Sequence, residues 1–149
     1  MPKPALAERL RRALPAAWLG GLLGIALIAA PAAFAVLPAS DAGRVNGRIF
    51  VVEAWVGIVL AALLWMLERR RARGLASRGE GSVLSAEMIL LGGTLLCTLL
   101  ATYGVQPQLA AARAGQGMFS FGQLHAASVA LFGVKTMLVA ALAWRSAAG

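Results

Sequence analysis

Residues 124–144 read LHAASVALFGVKTMLVAALAW, an apolar run of 21 residues with a single formal charge. At ~1.5 Å per residue, a helix of that length covers a hydrocarbon core ~30 Å thick. Lys135 stands near its middle. A charged side chain at that depth costs at least roughly 2.5–3.5 kcal/mol, so it must face a partner or a polar cavity rather than lipid. The stretch predicts a membrane-spanning helix that carries an inward, partnered cation.

The rest of the composition agrees. Hydrophobic residues make up 60% of the 149 and charged residues only 13%, against the roughly 25% charged residues of a soluble domain. The formal net charge of +8 does not point to nucleic acid. The arginines stand in blocks beside apolar runs, as in membrane topology, with no aromatic-interleaved basic surface. Cys97 is the only cysteine and excludes an intramolecular disulfide.

Four apolar segments reach spanning length: 16–37, 49–67, 83–104 and 124–144. They predict an all-α, antiparallel four-helix transmembrane bundle, a single domain over 16–149. Before it comes a basic leader, 1–15, expected to form a short interfacial helix over 4–14 whose arginines face anionic headgroups. Residues 1–35 also carry the marks of a signal peptide, but the apolar run continues through Val36 and Leu37, which favours an uncleaved span. Trp18, Trp65 and Trp144 mark segment boundaries, where amphipathic rings prefer to lie, and Trp55 is expected to pack inside.

Basic residues set the orientation. Lys3, Arg9, Arg11, Arg12, Arg69, Arg70, Arg71, Arg73, Arg78 and Arg145 flank one side, and Arg44, Arg48 and Arg113 the other. The positive-inside rule places both termini in the cytoplasm. Pro31 should kink the first helix near its outer end. Gly20 and Gly24 form a small-xxx-small pair that would let another helix of the bundle approach closely.

Polar side chains inside the spans fall on stripes that should turn inward. Glu87, Thr94 and Thr98 share one face of the third helix, with Thr102 beside it; the threonine hydroxyls are expected to bond to backbone. His125, Ser128, Phe132 and Lys135 share a stripe on the fourth, and Glu53 shares a face with Gly57 and Leu60 on the second. Depth along the helices predicts an inner Glu87–Lys135 pair, with Arg69–Arg73 as the alternative partners of Glu87. It also predicts an outer group of Glu53, His125, Arg48 and Arg113, in a pocket closed by the loop over 106–120.

His125 is the only histidine, so a bis-histidine haem cannot form within one chain and a zinc site lacks ligands. His125 with Met118 is the one pair whose chemistry suits copper or haem iron. No cofactor is otherwise expected. Ser128 lies beside His125, but the only aspartate, Asp41, is expected in a loop and completes no triad.

Several runs together resemble the bacterial branch of the transmembrane-protein-205-like family, a domain of unknown function. They are AAWLGG at 16–21, PAAF at 31–34, Ala42 and Gly43 with GRIF at 47–50, YGVQP at 103–107, Arg113 and FGQLHAAS at 121–128. The resemblance implies a four-helix inner-membrane protein without an established activity. It extends distantly to copper-resistance-D-like and haem-pathway four-helix proteins; this chain departs from them in having no histidine in helix one.

Three functions follow as expectations. The first is a non-enzymatic accessory or small-molecule-handling bundle. The second is a copper or haem site centred on His125. The third is proton or ion movement along Glu53, His125, Lys135 and Glu87. The expected partners are the bilayer and a second copy or another membrane protein, with no nucleic acid; alternating-access transport by so short a chain would require oligomerisation.

Overall fold

The computed structural model describes residues 6–148. Helices α1 (Leu6–Val36), α2 (Ala39–Ala76), α3 (Ala86–Arg113) and α4 (Phe121–Ala148) are each long and apolar enough to cross a membrane. Consecutive helices pack on one another, and α4 returns to pack on α1. The bundle is therefore an antiparallel ring in which α2 and α4 face each other across the diagonal. The start of α1, the α2–α3 link and the end of α4 gather at one end, here the basic end. The other two links form the far end.

The helices outrun their apolar segments. α2 has 38 residues, ~57 Å at 1.5 Å per residue, so the arginine-rich stretch after Leu67 is helical and projects well past a ~30 Å core. α3 starts one residue after Ser85, whose hydroxyl accepts from the Met88 N–H and satisfies one orphan donor of the first turn. It ends only at Arg113, so the first half of the expected 106–120 loop is helix. α1 begins at Leu6, which makes Arg9, Arg11 and Arg12 part of the span's first turns rather than of a separate interfacial helix. The reason is Arg11, only 3% exposed: its guanidinium is clamped by Glu8 of its own helix and Glu68 of α2. That clamp ties the basic turns to the bundle. Lys3 and Pro4 lie outside the described residues.

Two prolines shape the far end in the same way. Pro31 has no N–H, and its ring crowds the carbonyl four residues back, at Leu27. The chain answers with a π turn over Ile25–Ala29, in which the Ala30 N–H reaches the Ile25 carbonyl. Pro107 in α3 follows a second π turn, Leu100–Val105, closed by the Gln106 N–H on Ala101. At the expected kink of the first helix the chain thus makes a widened turn, and α3 repeats it.

Trp18, Leu22, Ala61, Leu64, Leu91, Val139 and Leu142 form the buried core. Trp18 is therefore a core residue and not an interfacial one, whereas Trp55, expected inside, is 60% exposed on the lipid-facing side of α2. Trp144 is exposed near the basic end, as an interfacial ring should be. The glycine expectation also changes. A Cβ added at Gly20 or Gly24 would meet nothing within 4 Å, so no helix of this bundle approaches there. The close approaches are at Gly93, where a Cβ would come 3.0 Å from Leu138 Cδ1, and at Gly57. Replacing Gly20 or Gly24 by Leu should accordingly leave the thermal unfolding midpoint in detergent unchanged. A marked drop at either position would reveal a packed helix on that face.

Candidate functional site

Along α2 the inward positions Asn46, Phe50, Glu53, Gly57, Ala61, Leu64 and Glu68 recur every three or four residues, which keeps them on one face. α4 offers Leu124, Ser128, Phe132, Lys135, Val139, Leu142 and Ser146 in the same rhythm. The two stripes look at each other across the diagonal. At mid-span the Lys135 ammonium donates to both oxygens of Glu53, at 2.7 and 2.9 Å. The two side chains are only 4% and 10% exposed, so the pair stands inside the bundle.

Three groups fix it there. Gly57, one turn from Glu53, leaves the space that the ammonium occupies: an added Cβ would lie 3.1 Å from Nζ, 3.3 Å from Glu53 Oε1 and 3.3 Å from Trp18 Cζ2. Trp18 of α1 presents its ring to the ammonium at 5.9 Å, within reach of a cation–π attraction. On the far-end side, Phe50 and Phe132 meet edge to face at 5.3 Å, again joining α2 to α4. Between helices α1 and α2 a groove of about 480 Å³ opens sideways, with Glu53 and Trp18 in its wall and Arg48 near its far-end limit. The Trp18 indole N–H is buried and has no acceptor among the described residues.

The expected Glu87–Lys135 pair is therefore replaced by Glu53–Lys135. Helical side chains lean toward the helix N-terminus, which for α4 is the far end, so the lysine stem runs toward Glu53 and away from Glu87. Glu87 takes Arg145 at 2.9 Å, not an arginine of the 69–73 run. Arg71 instead approaches Glu68 at 3.7 Å. The hydroxyls of Thr94 and Thr98 donate to the Leu91 and Thr94 carbonyls of their own helix, as expected of buried threonines.

A sequence profile for DUF4149, a domain of unknown function, matches residues 13–117. The chain belongs to the DUF4149 family. No curated protein and no solved structure matches it. The matched part of this DUF4149 protein holds Trp18, Glu53, Gly57 and Glu87, while Lys135, Arg145 and His125 follow it on α4.

The outer group does not assemble in the DUF4149 chain. α2 starts 14 residues before Glu53, about 21 Å, so Glu53 lies far below the level of His125. His125 is exposed and stacks on Phe121 at 5.9 Å between centroids. Arg113 lies over that same ring at 5.3 Å. Arg48 is exposed beside the α1–α2 groove, and Met118 is 93% exposed. Among the described residues no three His, Cys, Asp or Glu side chains converge as a metal site. Sequence reasoning missed Trp18 as a neighbour of the lysine. The one available signal was Gly57, sharing a face with Glu53 and making room opposite it.

Removing one partner of a buried ion pair typically costs roughly 3–5 kcal/mol, because the other charge stays desolvated. Lys135→Met should therefore destabilise the DUF4149 bundle by about that much, and adding Glu53→Gln should recover much of the loss. Glu87→Gln should show no coupling to Lys135. A double-mutant cycle on thermal or denaturant unfolding in detergent measures both; coupling to Glu87 in place of Glu53 would reverse the assignment.

Proposed function

We propose that this four-span protein is a non-enzymatic, small-molecule-handling bundle of the bacterial inner membrane, with its basic end in the cytoplasm. The orientation rests on the positive-inside rule, since the basic end gathers most of the arginines. The handling role rests on one observation, the sideways groove between α1 and α2 with the ion pair in its wall. An apolar groove that opens toward lipid admits molecules that partition into lipid first.

The chemistry of the groove selects the occupant. Its wall is apolar from Ile49 to Leu60 on α2 apart from Glu53, and Glu53 is neutralised by Lys135. Arg48 is exposed at the far-end limit and makes no ion pair among the described residues. From Arg48 to Leu60 is about 18 Å along the helix, room for an extended alkyl chain. The occupant that fits is a single-chain amphiphile with an anionic head on Arg48 and its tail in the groove.

Through-membrane proton movement has less support. Leu64, Leu91, Val139 and Leu142, all fully buried, stand between Lys135 and the Glu87–Arg145 pair. The proposed role calls for neither copper nor haem. Purified protein should show no Soret band and no stoichiometric copper, and His125→Ala should leave both readings unchanged. Metal or haem at one per chain, lost on that substitution, would displace this reading in favour of a His125 site.

Gly21 lines the groove, and a Cβ there meets nothing within 4 Å, so a larger side chain can fill the groove without disturbing the bundle. In vesicles, a photoactivatable long-chain fatty acid should label Ile25, Val52 or Val56 saturably, with competition by excess unlabelled fatty acid. Gly21→Phe should suppress that saturable fraction, and Arg48→Gln should weaken it. Labelling that is spread evenly over the lipid-facing residues, unaffected by either change, would sink the proposal.

A further inference from the structure

At the basic end, all four helices contribute to a second cavity of about 350 Å³, lined by Arg11, Arg71, Glu87, Trp144, Arg145 and Ala148. Its three guanidinium groups come from α1, α2 and α4, and they differ in how far they are satisfied. Arg11 is clamped by Glu8 and Glu68 through all three nitrogens, which makes it a fixed wall. Arg145 uses only Nε, on Glu87, so both of its terminal nitrogens lack an acceptor among the described residues. Arg71 comes no closer than 3.7 Å to Glu68, too far for a hydrogen bond, and its fork is open. Arg71 and Arg145 are 36% and 51% exposed, so a ligand can reach them from the cytoplasmic side.

We propose that this cavity binds a phosphate group between Arg71 and Arg145. Arg71 and Arg145, each near a carboxylate but with terminal donors to spare, suit a tetrahedral anion beside the fully satisfied Arg11, because a guanidinium fork donates two parallel hydrogen bonds to a phosphate. The carboxylates act as braces: Glu87 orients Arg145 by its Nε edge and leaves the terminal edge pointing onward. Trp144, 80% exposed beside Arg145, places the cavity at the level of the interface. Arg69, Arg70 and Arg73 on the exposed surface of α2 raise the local positive potential. The phosphate has two possible sources, the headgroup of an anionic lipid and a free phosphate compound. This site stands apart from the α1–α2 groove and does not depend on it.

The full chain in detergent is titrated with phosphatidylglycerol, with diacylglycerol as a phosphate-free control, and separately with inorganic phosphate, reading the unfolding midpoint and the bound stoichiometry. Saturable one-to-one binding of phosphatidylglycerol alone assigns the site to a lipid headgroup; saturable binding of inorganic phosphate assigns it to a free phosphate compound. Arg71→Gln should weaken the binding roughly tenfold, the loss of one charge-assisted fork. Arg145→Lys keeps the charge beside Glu87 but removes the fork, and should weaken it comparably. Arg70→Gln, outside the cavity, removes only a distant share of the local potential and should weaken binding less than about twofold. Unliganded unfolding midpoints of the variants confirm that each is folded. Equal losses for Arg70→Gln and Arg71→Gln would show diffuse surface attraction and overturn the pocket, as would the absence of saturable binding to either probe.

Discussion

An ammonium in the middle of a hydrocarbon layer has to be cancelled within hydrogen-bonding distance, and the rest of the bundle is arranged around that requirement. Lys135 meets it by reaching across the diagonal to Glu53 rather than to a neighbouring helix. Together with the Phe50–Phe132 contact, this diagonal pair fixes two helices that are not neighbours in the ring. It also explains why the centre is built as it is: Gly57 because a Cβ there would press on the ammonium, Trp18 because its ring face tolerates a cation, and Phe50–Phe132 as an apolar cap one turn away. In lipid, packing and polar contacts replace the hydrophobic drive that holds soluble bundles together, so one such strut weighs heavily.

The two ends of the bundle are held by different means. At the basic end, carboxylates bind arginines of neighbouring helices: Glu68 of α2 takes Arg11 of α1, and Glu87 of α3 takes Arg145 of α4. Each pair closes one side of the ring. At the far end charges give way to geometry. Pro31 and Pro107 each force a π turn, which widens α1 and α3 just where their chains approach the links. The α1–α2 groove lies between these two regimes, from Ile25 at the start of the π turn of α1 down to Leu14, above the Arg11–Glu68 clamp.

Spans, number of helices and the inward stripes were legible in the sequence because lipid imposes simple rules. A helix must be long enough, and its charges must face away from lipid. Thr94, Thr98, Glu87 and Lys135 are buried as their stripes require. Helix ends were less legible. Hydropathy marks where the apolar core stops, whereas α2 continues as helix through its arginines to Ala76 because backbone hydrogen bonding does not need an apolar environment.

Burial and partnering of Lys135 follow from its place in an apolar run alone, since an unpaired ammonium at mid-membrane is too costly. Tertiary structure alone decided the partner. Depth counted along separate helices allowed Glu87; the far-end lean of an α4 side chain and the gap at Gly57 on the opposite helix selected Glu53. The same holds for His125 and Trp18. One was expected inside with Glu53 and is exposed, and the other was expected at the interface and is in the core. A stripe on one helix states which way a residue points, but which side chain it meets depends on the rotation and depth of a second helix, and those are properties of the packed bundle.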